Sequence, residues 1–493
     1  MSSMNRFLCL WLIVLASSPL AAEEWVILGP RAMGMGGAGV AITRGALSSY
    51  WNPAGLAPPR APRVLDIWDL ALPASASAAA SNDFIREVDD VSNLVEDIDF
   101  GALENALENP NVNLPADQLQ SALRLFVDEI PELGERGTGV VTNGGAGIMG
   151  RVWQFGLSGL ALVHAGGVTV FDDQNLALGD DGLDGVIGAG NDRSGQLSPA
   201  GQAFANGLAA DGLATQNQAE EVAFQSEQAG IDLTKAGPQD QIRRILEATA
   251  LNDGGAAGNS ILDNQSGVDL RGILLQEYAL SFAQPFFDIV SVGANVKLMN
   301  GWSYFKPYTI PELEGFDAPT GDLFDEDNRR ESLNFGIDAG ILVQPVPMLS
   351  VGVVGRNLNG PSFEFKGPGN YDIDPQFRAG IGVTPIPWLV CGVDVDIVSN
   401  ESEALPGFDS QVIGGGAEAS LGDVAFLRFG VSKNLAESDE DPVIHFGVGV
   451  RFWLIQLDAA AAFATDSTEI DSGEDIPERV GLSLGIAFNL PLD

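Results

Sequence analysis

The chain has 493 residues, with 67 acidic against 25 basic side chains and a formal net charge of −42. Such acidity argues against nucleic acid as a partner, because phosphate binding needs clustered Lys and Arg. A hydrophobic content of 45% argues against wholesale disorder, and two cysteines without CxxC spacing exclude a disulfide-stapled scaffold and give no zinc pattern.

Residues 1–22 read as a Sec-type signal peptide. Arg6 gives the positive start, 7–15 the short apolar stretch, and small residues lead to a cleavage point after Ala22. Cys9 lies in the apolar stretch, so the exported chain keeps Cys391 alone and forms no intrachain disulfide. Beyond residue 22 the longest stretch free of charged, His and amide side chains is 379–393, and Pro385 and Pro387 break it. A spanning helix needs about 20 continuous apolar residues. An exported chain of this kind is a soluble protein or a membrane β-barrel.

Residues 23–63 come next and are rich in Gly and Ala, so their backbone can pack closely in a narrow space. Strands are expected at 64–73, 140–151, 153–164, 276–284, 289–304, 334–343, 349–357, 376–384, 389–397, 410–420, 425–433, 443–452, 455–464 and 479–489. The last shows the pattern. Val480, Leu482, Leu484, Ile486 and Phe488 share one face; Gly481, Ser483, Gly485, Ala487 and Asn489 share the other. A water-exposed sandwich face would carry more Lys, Glu and Thr. A Gly- and Ser-rich second face suits a crowded barrel lumen. The predicted fold is therefore all-β, a transmembrane antiparallel β-barrel of about fourteen strands, an even number as in bacterial barrels. Pro285, Pro345 and Pro385 are assigned to tight turns at one end, since proline cannot donate to a ladder. Trp153, Trp302, Tyr304, Trp388, Phe452 and Trp453 sit near strand ends, where an interfacial girdle lies.

All long connections then fall at the other end, with two large insertions, 74–139 and 165–275. Val91, Leu94, Val95 and Ile98, then Leu119, Leu123, Phe126 and Val127, keep helical spacing, and two further helices are expected near 218–232 and 238–251. The acidic runs at 180–184, 322–328 and 437–441 lack EF-hand spacing and read as solvated loops, so no metal or cofactor is expected.

Two motifs dissolve in context. The GxGxxG match at 34–39 follows no strand and has no suitably placed acid, and the GxSxG match at 481–485 lies in an alternating strand with no helix after it. Lys297, Asp338, Arg378, Asp394, Asp396, Arg428, His445 and Arg451 should point into the lumen, where charges need pairing or hydration. His164 and His445 are read as lumenal polar side chains, and no enzyme activity is expected.

The stretch Gly29-Pro-Arg-Ala-Met-Gly-Met-Gly-Gly-Ala-Gly-Val-Ala41, followed by Asn52-Pro-Ala-Gly-Leu-Ala57 and an acidic barrel, resembles the FadL-type outer-membrane transporter superfamily. Its wording is closer to a side branch with TraF-like conjugal-transfer proteins and PorV-type barrels. The resemblance implies that residues 23–63 form a hatch plugging the barrel of 64–493, with Gly34, Gly36, Gly37, Gly39, Asn52, Pro53 and Ala54 in it. It implies passive uptake of fatty-acid-like or hydrocarbon compounds, with sideways exit through the wall; Gly156 and Gly159 make the third strand a candidate place. The alternative is a non-transporting barrel serving a conjugation or secretion system, its envelope protein partner bound by the 165–275 insertion. Either is placed in the bacterial outer membrane, in contact with its lipid and lipopolysaccharide, with both termini periplasmic.

Overall fold

The computed structural model describes residues 23–57, 68–81, 84–108, 114–134, 137–178, 182–252, 261–286, 289–309, 326–422, 424–437, 440–469 and 475–489. The stretch 1–22 expected to be a signal peptide, residues 64–67 of the expected first strand and parts of the three acidic runs lie outside them.

Fourteen antiparallel strands close into one barrel. They are β1 (Trp68–Ser81), β2 (Gly139–Val152), β3 (Phe155–Val170), β4 (Gly267–Phe286), β5 (Val290–Thr309), β6 (Arg329–Val346) and β7 (Leu349–Arg356). The rest are β8 (Gln376–Ile386), β9 (Leu389–Asp396), β10 (Val412–Leu421), β11 (Ala425–Asn434), β12 (Val443–Phe452), β13 (Ile455–Ala464) and β14 (Arg479–Asn489). Neighbours in sequence pair in space, and β1 closes the ring on β14 from Asp69↔Asn489 to Ala79↔Arg479. Closure leaves no free strand edge, which a membrane requires.

The alternation sorts residues as expected. Leu157, Leu280, Val296, Leu333, Leu482 and Leu484 are exposed on the outer wall, while Ser483, Asp338 and Lys297 are buried inside it. The outer wall is thus an apolar band for lipid. Trp68, Trp153, Phe155, Trp388, Phe452 and Trp453 ring the short-turn end with exposed rings. Trp153 and Trp453 open their two-residue turns in the left-handed region, φ 59° and 54°. That conformation costs a non-glycine residue about 1–2 kcal/mol, which placing an indole at the interface offsets. Tyr304 differs from the girdle expectation and is buried at 5% exposure.

Four further differences have physical reasons. The first strand lies later than 64–73. Its second half is Ala-Ser-Ala-Ser-Ala-Ala-Ala-Ser, which lacks an apolar face but gains ladders from β2 and β14 on both sides. Strands β3 and β4 run past the predicted 164 and 276 at the long-loop end, where Val168↔Asp269 and Gly166↔Arg271 extend the ladder above a lipid-type pattern. Pro285, Pro345 and Pro385 sit in the last residues of strands β4, β6 and β8, not in the turns. In β6 and β8 the register shifts there, between Val343 and Val346 and between Val383 and Ile386, where a missing N–H is tolerated. Finally, β3 pairs without interruption through Gly156 and Gly159 on both edges, so these glycines open no gap. The β1–β2 ladder instead passes over Leu72 and Pro73, between Ala71↔Met149 and Ala74↔Ala146, and resumes in the same register.

At the long-loop end, connections fold inward and outward. The ribbon of Ser362–Glu364 and Asn370–Asp372 turns into the mouth, burying Phe363 and Tyr371 completely. The two large insertions build a helical cap instead. Phe84–Asp97, Phe100–Glu108 and Ala116–Arg124 come from the first, and Pro199–Ala210, Gln216–Gln228 and Ala236–Asn252 from the second. Val91, Leu94, Val95, Ile98, Phe126 and Val127 are buried as their spacing predicts. The helix at 199–210 escaped prediction because its Gly/Ala-rich sequence carries a weak apolar stripe.

Candidate functional site, the plugged lumen

Residues 23–57 fill the barrel interior. Glycine sets how close they come. Gly36 adopts φ +68°, and a Cβ there would lie 2.6 Å from the carbonyl oxygens of Gly415 and Val431. Gly34 faces Gly447 so closely that a Cβ would meet its Cα at 2.9 Å. The small inner face of the wall and the small residues of the plug are thus two halves of one contact, backbone against backbone. Gly37 is buried at φ +84°. Gly39 lies against the Trp51 indole. Asn52 Nδ2 donates to Val40 O at 3.2 Å and to Ile341 O of the wall at 3.1 Å, and its Oδ1 accepts from Ala54 N at 3.1 Å. Pro53 and Ala54 press on Gly293 of β5.

Charges supply the direction. Asp394 accepts from Gly39 N and Val40 N, both at 2.7 Å. Arg31 of the plug donates to Glu418 at 2.9 Å, and Arg428 bonds Glu418 at 2.6 Å and Asp458 at 2.7 Å. Arg378 makes a two-point pair with Asp396 at 2.6 and 2.9 Å. Lys297 reaches Asp338 at 3.1 Å, Glu277 at 3.3 Å and Asn357 Oδ1 at 2.6 Å. Asn295 joins that cluster to the plug, donating to Asp338 and to Ser49 O. Buried charges are tolerated here because each is paired and hydrogen-bonded. Arg451 bonds Gln456 at 2.6 Å.

Lys297, Asp338, Arg378, Asp394, Asp396, Arg428 and His445 are buried and Arg451 is half-buried; they form separate clusters and not one site. His445 Nε2 lies 2.8 Å from Ser432 Oγ. His164 Nδ1 bonds Asn143 Oδ1 at 2.8 Å.

Sequence reasoning missed Glu277, Arg356, Glu418 and Asp458, which inward alternation would have found. It also missed Glu23, Glu24, Trp25 and Tyr50, for which no periodic signal exists. Glu23 bonds Ser402 Oγ at 2.7 Å and Tyr371, tying the plug to the inward-folded loops. Glu24 pairs with Arg479 at 2.7 Å. Arg356 lies over the Tyr50 ring at 4.2 Å and the Trp25 ring at 5.0 Å.

Among the described residues, two spaces lie beside the plug. One of about 40 Å³ lies beside Glu24, Met33, His445 and Arg479. The other is a vestibule of about 690 Å³ at the short-turn end. Arg31, Arg44 and Arg151 give it a polar side; Leu70, Leu72 and Pro73 give it an apolar one.

A closed, lipid-banded barrel with a lumenal plug defines the class, an outer-membrane β-barrel. The chain matches the family model described as "F plasmid transfer operon, TraF, protein" over residues 49–396, and it belongs to that family. The TraF-like resemblance drawn from residues 29–57 accords with this membership. Among solved structures the chain is similar to the Pseudomonas putida toluene transporter TodX, at 10% identity over 96% of this chain and 100% of that one, TM-score 0.43. It is similar to the Ralstonia pickettii toluene transporter TbuX at 12% identity over 94% and 98%, TM-score 0.44. A Pseudomonas aeruginosa FadL homologue matches at 12% identity over 96% and 99%, TM-score 0.40. No curated protein matches the chain.

Proposed function

We propose that this barrel passes small hydrophobic compounds inward across the outer membrane by passive diffusion, gated by movement of residues 23–57. The long-loop end then faces outside, and the short-turn end and both termini face the periplasm. The observation that carries the reading is the vestibule. It lies directly under the plug, half apolar, with Leu72 and Pro73 in its wall. At those two residues the β1–β2 ladder lapses. A compound released by the plug meets an apolar surface there, beside the weakest seam of that strand pair.

The test joins the seam. Leu72 and Ile148 stand opposite in the continuing register, a spacing that a cross-strand disulfide bridges. L72C/I148C is made with Cys391 replaced by Ser. In proteoliposomes loaded with an intravesicular acceptor, the reduced protein is expected to import a fluorescent fatty acid, and the oxidised one at least tenfold more slowly. Equal rates overturn exit at this seam. No import above protein-free vesicles overturns transport itself.

A second reading, an adaptor for a transfer or secretion machine, is favoured by one observation, the family's description as a transfer-operon protein. Under it, the helical cap is the surface that a partner contacts. Removing 182–252 would then abolish partner capture, whereas a transporter keeps uptake.

A further inference from the structure

The helical cap holds a cavity of about 70 Å³ walled, among the described residues, by sixteen side chains, every one of them apolar. It lies where the two insertions meet. Leu114, Ala122 and Phe126 come from the first; Val186, Ile242 and Leu246 come from the second. Two apolar cores flank this void, and each draws on both insertions. Val186 and Ile261 of the second join Val91, Leu94 and Ile98 of the first in one core, and Val127 of the first joins Phe204, Leu208 and Ile245 in the other.

Three observations together point to an occupant. First, the volume. A water needs about 10–15 Å³ of such space and two to four polar partners. This cavity has room for about five to seven water-sized centres on that measure, yet its described lining offers a water no side-chain partner. An empty cavity forfeits contacts on every lining side chain.

Second, the backbone around it is irregular. After the helix Ala116–Arg124 the chain widens into a single π-turn over Leu125–Glu129, then returns to α over Ile130–Leu133. π-Turns are rare, and they occur frequently at functional sites. This one carries Phe126 and Val127, both lining residues. Gln241 of the second insertion donates to Phe126 O at 3.5 Å, meeting the turn from across the seam.

Third, the seam is held from its edges and not its centre. Gln120 Nε2 donates to Gln225 Oε1 at 2.7 Å, joining one insertion to the other. The polar ties lie beside the cavity, which leaves its middle free to take a guest.

We propose that this cavity is a binding site for a small uncharged apolar molecule, of the size of a monocyclic or short-chain hydrocarbon. The absence of polar lining sets its selectivity: a hydroxyl carried inside would lose its water and find no partner. The site stands outside the barrel and holds whether or not the barrel transports, so its test is a direct one.

Crystals of the full-length protein are exposed to iodobenzene vapour, and the iodine is located by anomalous scattering. The expected result is a peak between Phe126 and Leu246. Under the same exposure 4-iodophenol is expected at occupancy at least tenfold lower. A122F fills the space and is expected to lower iodobenzene occupancy at least tenfold while the barrel keeps its heat-modifiable mobility. L246W does the same from the other insertion and serves if A122F fails to fold. No peak in the cavity overturns the proposal. Equal occupancy by the phenol, or a peak that survives in a folded filled variant, overturns it as well. A filled site in a protein that imports nothing leaves this proposal standing and removes the transport reading.

Discussion

The lumen and the helical cap solve the same packing problem in different proportions. In the cap, apolar side chains meet at the centre, and Glu129, Glu220 and Glu221 are buried beside them. In the barrel one face of each strand goes to lipid, and the interior joins an apolar cluster around Trp25, Tyr50 and Trp51 to close backbone contacts and buried charges. The plug therefore binds by that cluster, by glycine-to-glycine approach and by ion pairs shielded from water. The same chemical bond should have a different weight in the two places.

Two arginines make the sharpest version of that comparison. Arg428 bonds Glu418 and Asp458 with its side chain fully buried. Arg193 of the cap bonds Glu221 at 2.9 Å but keeps 24% of its side chain exposed. Removing one member of a buried pair leaves uncompensated charge and costs about 3–5 kcal/mol, against about 0–1 kcal/mol for an exposed pair. R428A is expected to lose that much in denaturant unfolding from lipid vesicles, and R193A less than about 1 kcal/mol by the same measurement. Equal losses would mean that water reaches Arg428 freely and that the plug is not closed.

Two glycines give the next step. Gly36 and Gly212 share nearly the same backbone, φ +68° and +76°, but a Cβ on Gly212 meets nothing within 4 Å. G212A should therefore cost only the left-handed penalty, about 1–2 kcal/mol. G36A adds overpacking against two carbonyl oxygens, roughly 1–3 kcal/mol more. Because the added strain lies between plug and wall, G36A should also show open-channel steps in planar bilayers where the parent protein is closed. A closed G36A channel of unchanged stability would show that the plug gives way elsewhere.

A smaller effect tests the caps. N52A removes the cap on Ala54 N and two bonds to buried carbonyls, with an expected loss of about 1–2 kcal/mol. T215A removes the capping box of the cap helix Gln216–Gln228 at about 1 kcal/mol. If N52A alone raises single-channel conductance, Asn52 fixes the plug and not merely its own turn.

The sequence carried the wall far more clearly than the plug. Lipid imposes one apolar residue in two, so Val480 to Phe488 can be read by eye, and so can the inward place of Asp338 or Arg428. The Ala/Ser half of β1 has no such alternation, because its inner face must let Gly29 approach Ser75 Oγ at 3.0 Å. Partners were less legible than positions. Alternation says that Asp394 points inward, but not that it meets the amides of Gly39 and Val40. The plug obeys no period, since its contacts are set by where it lies in the barrel, and nothing in the spacing of Glu23 and Glu24 marks their partners.

The last contrast is one of pH. Burial, only partly relieved by Arg271 at 3.7 Å, holds Glu403 in the inward-folded loop up at about 7, with Glu23, Asp372 and Glu401 pushing the same way. In the cap, burial alone would raise Glu221, but bonds from Arg193, Gln225 and Asn191 leave it below its ordinary value of 4.5. The signs then differ. Folded Glu403 keeps a proton that the unfolded chain has released between its ordinary value of 4.5 and about 7, so its loop should lose stability as pH rises through that window. Glu221 contributes stability that is present at neutral pH and lost only as pH falls below the usual carboxylate range. Hydrogen exchange, corrected for intrinsic rates, should show 400–410 better protected at pH 5 than at pH 8, with the cap helix Gln216–Gln228 unchanged between them. E403Q should flatten the first profile and leave the second alone. A pH-independent loop in the parent protein would place Glu403 in water, and the mouth of the barrel would then be open where its buried ribbons now close it.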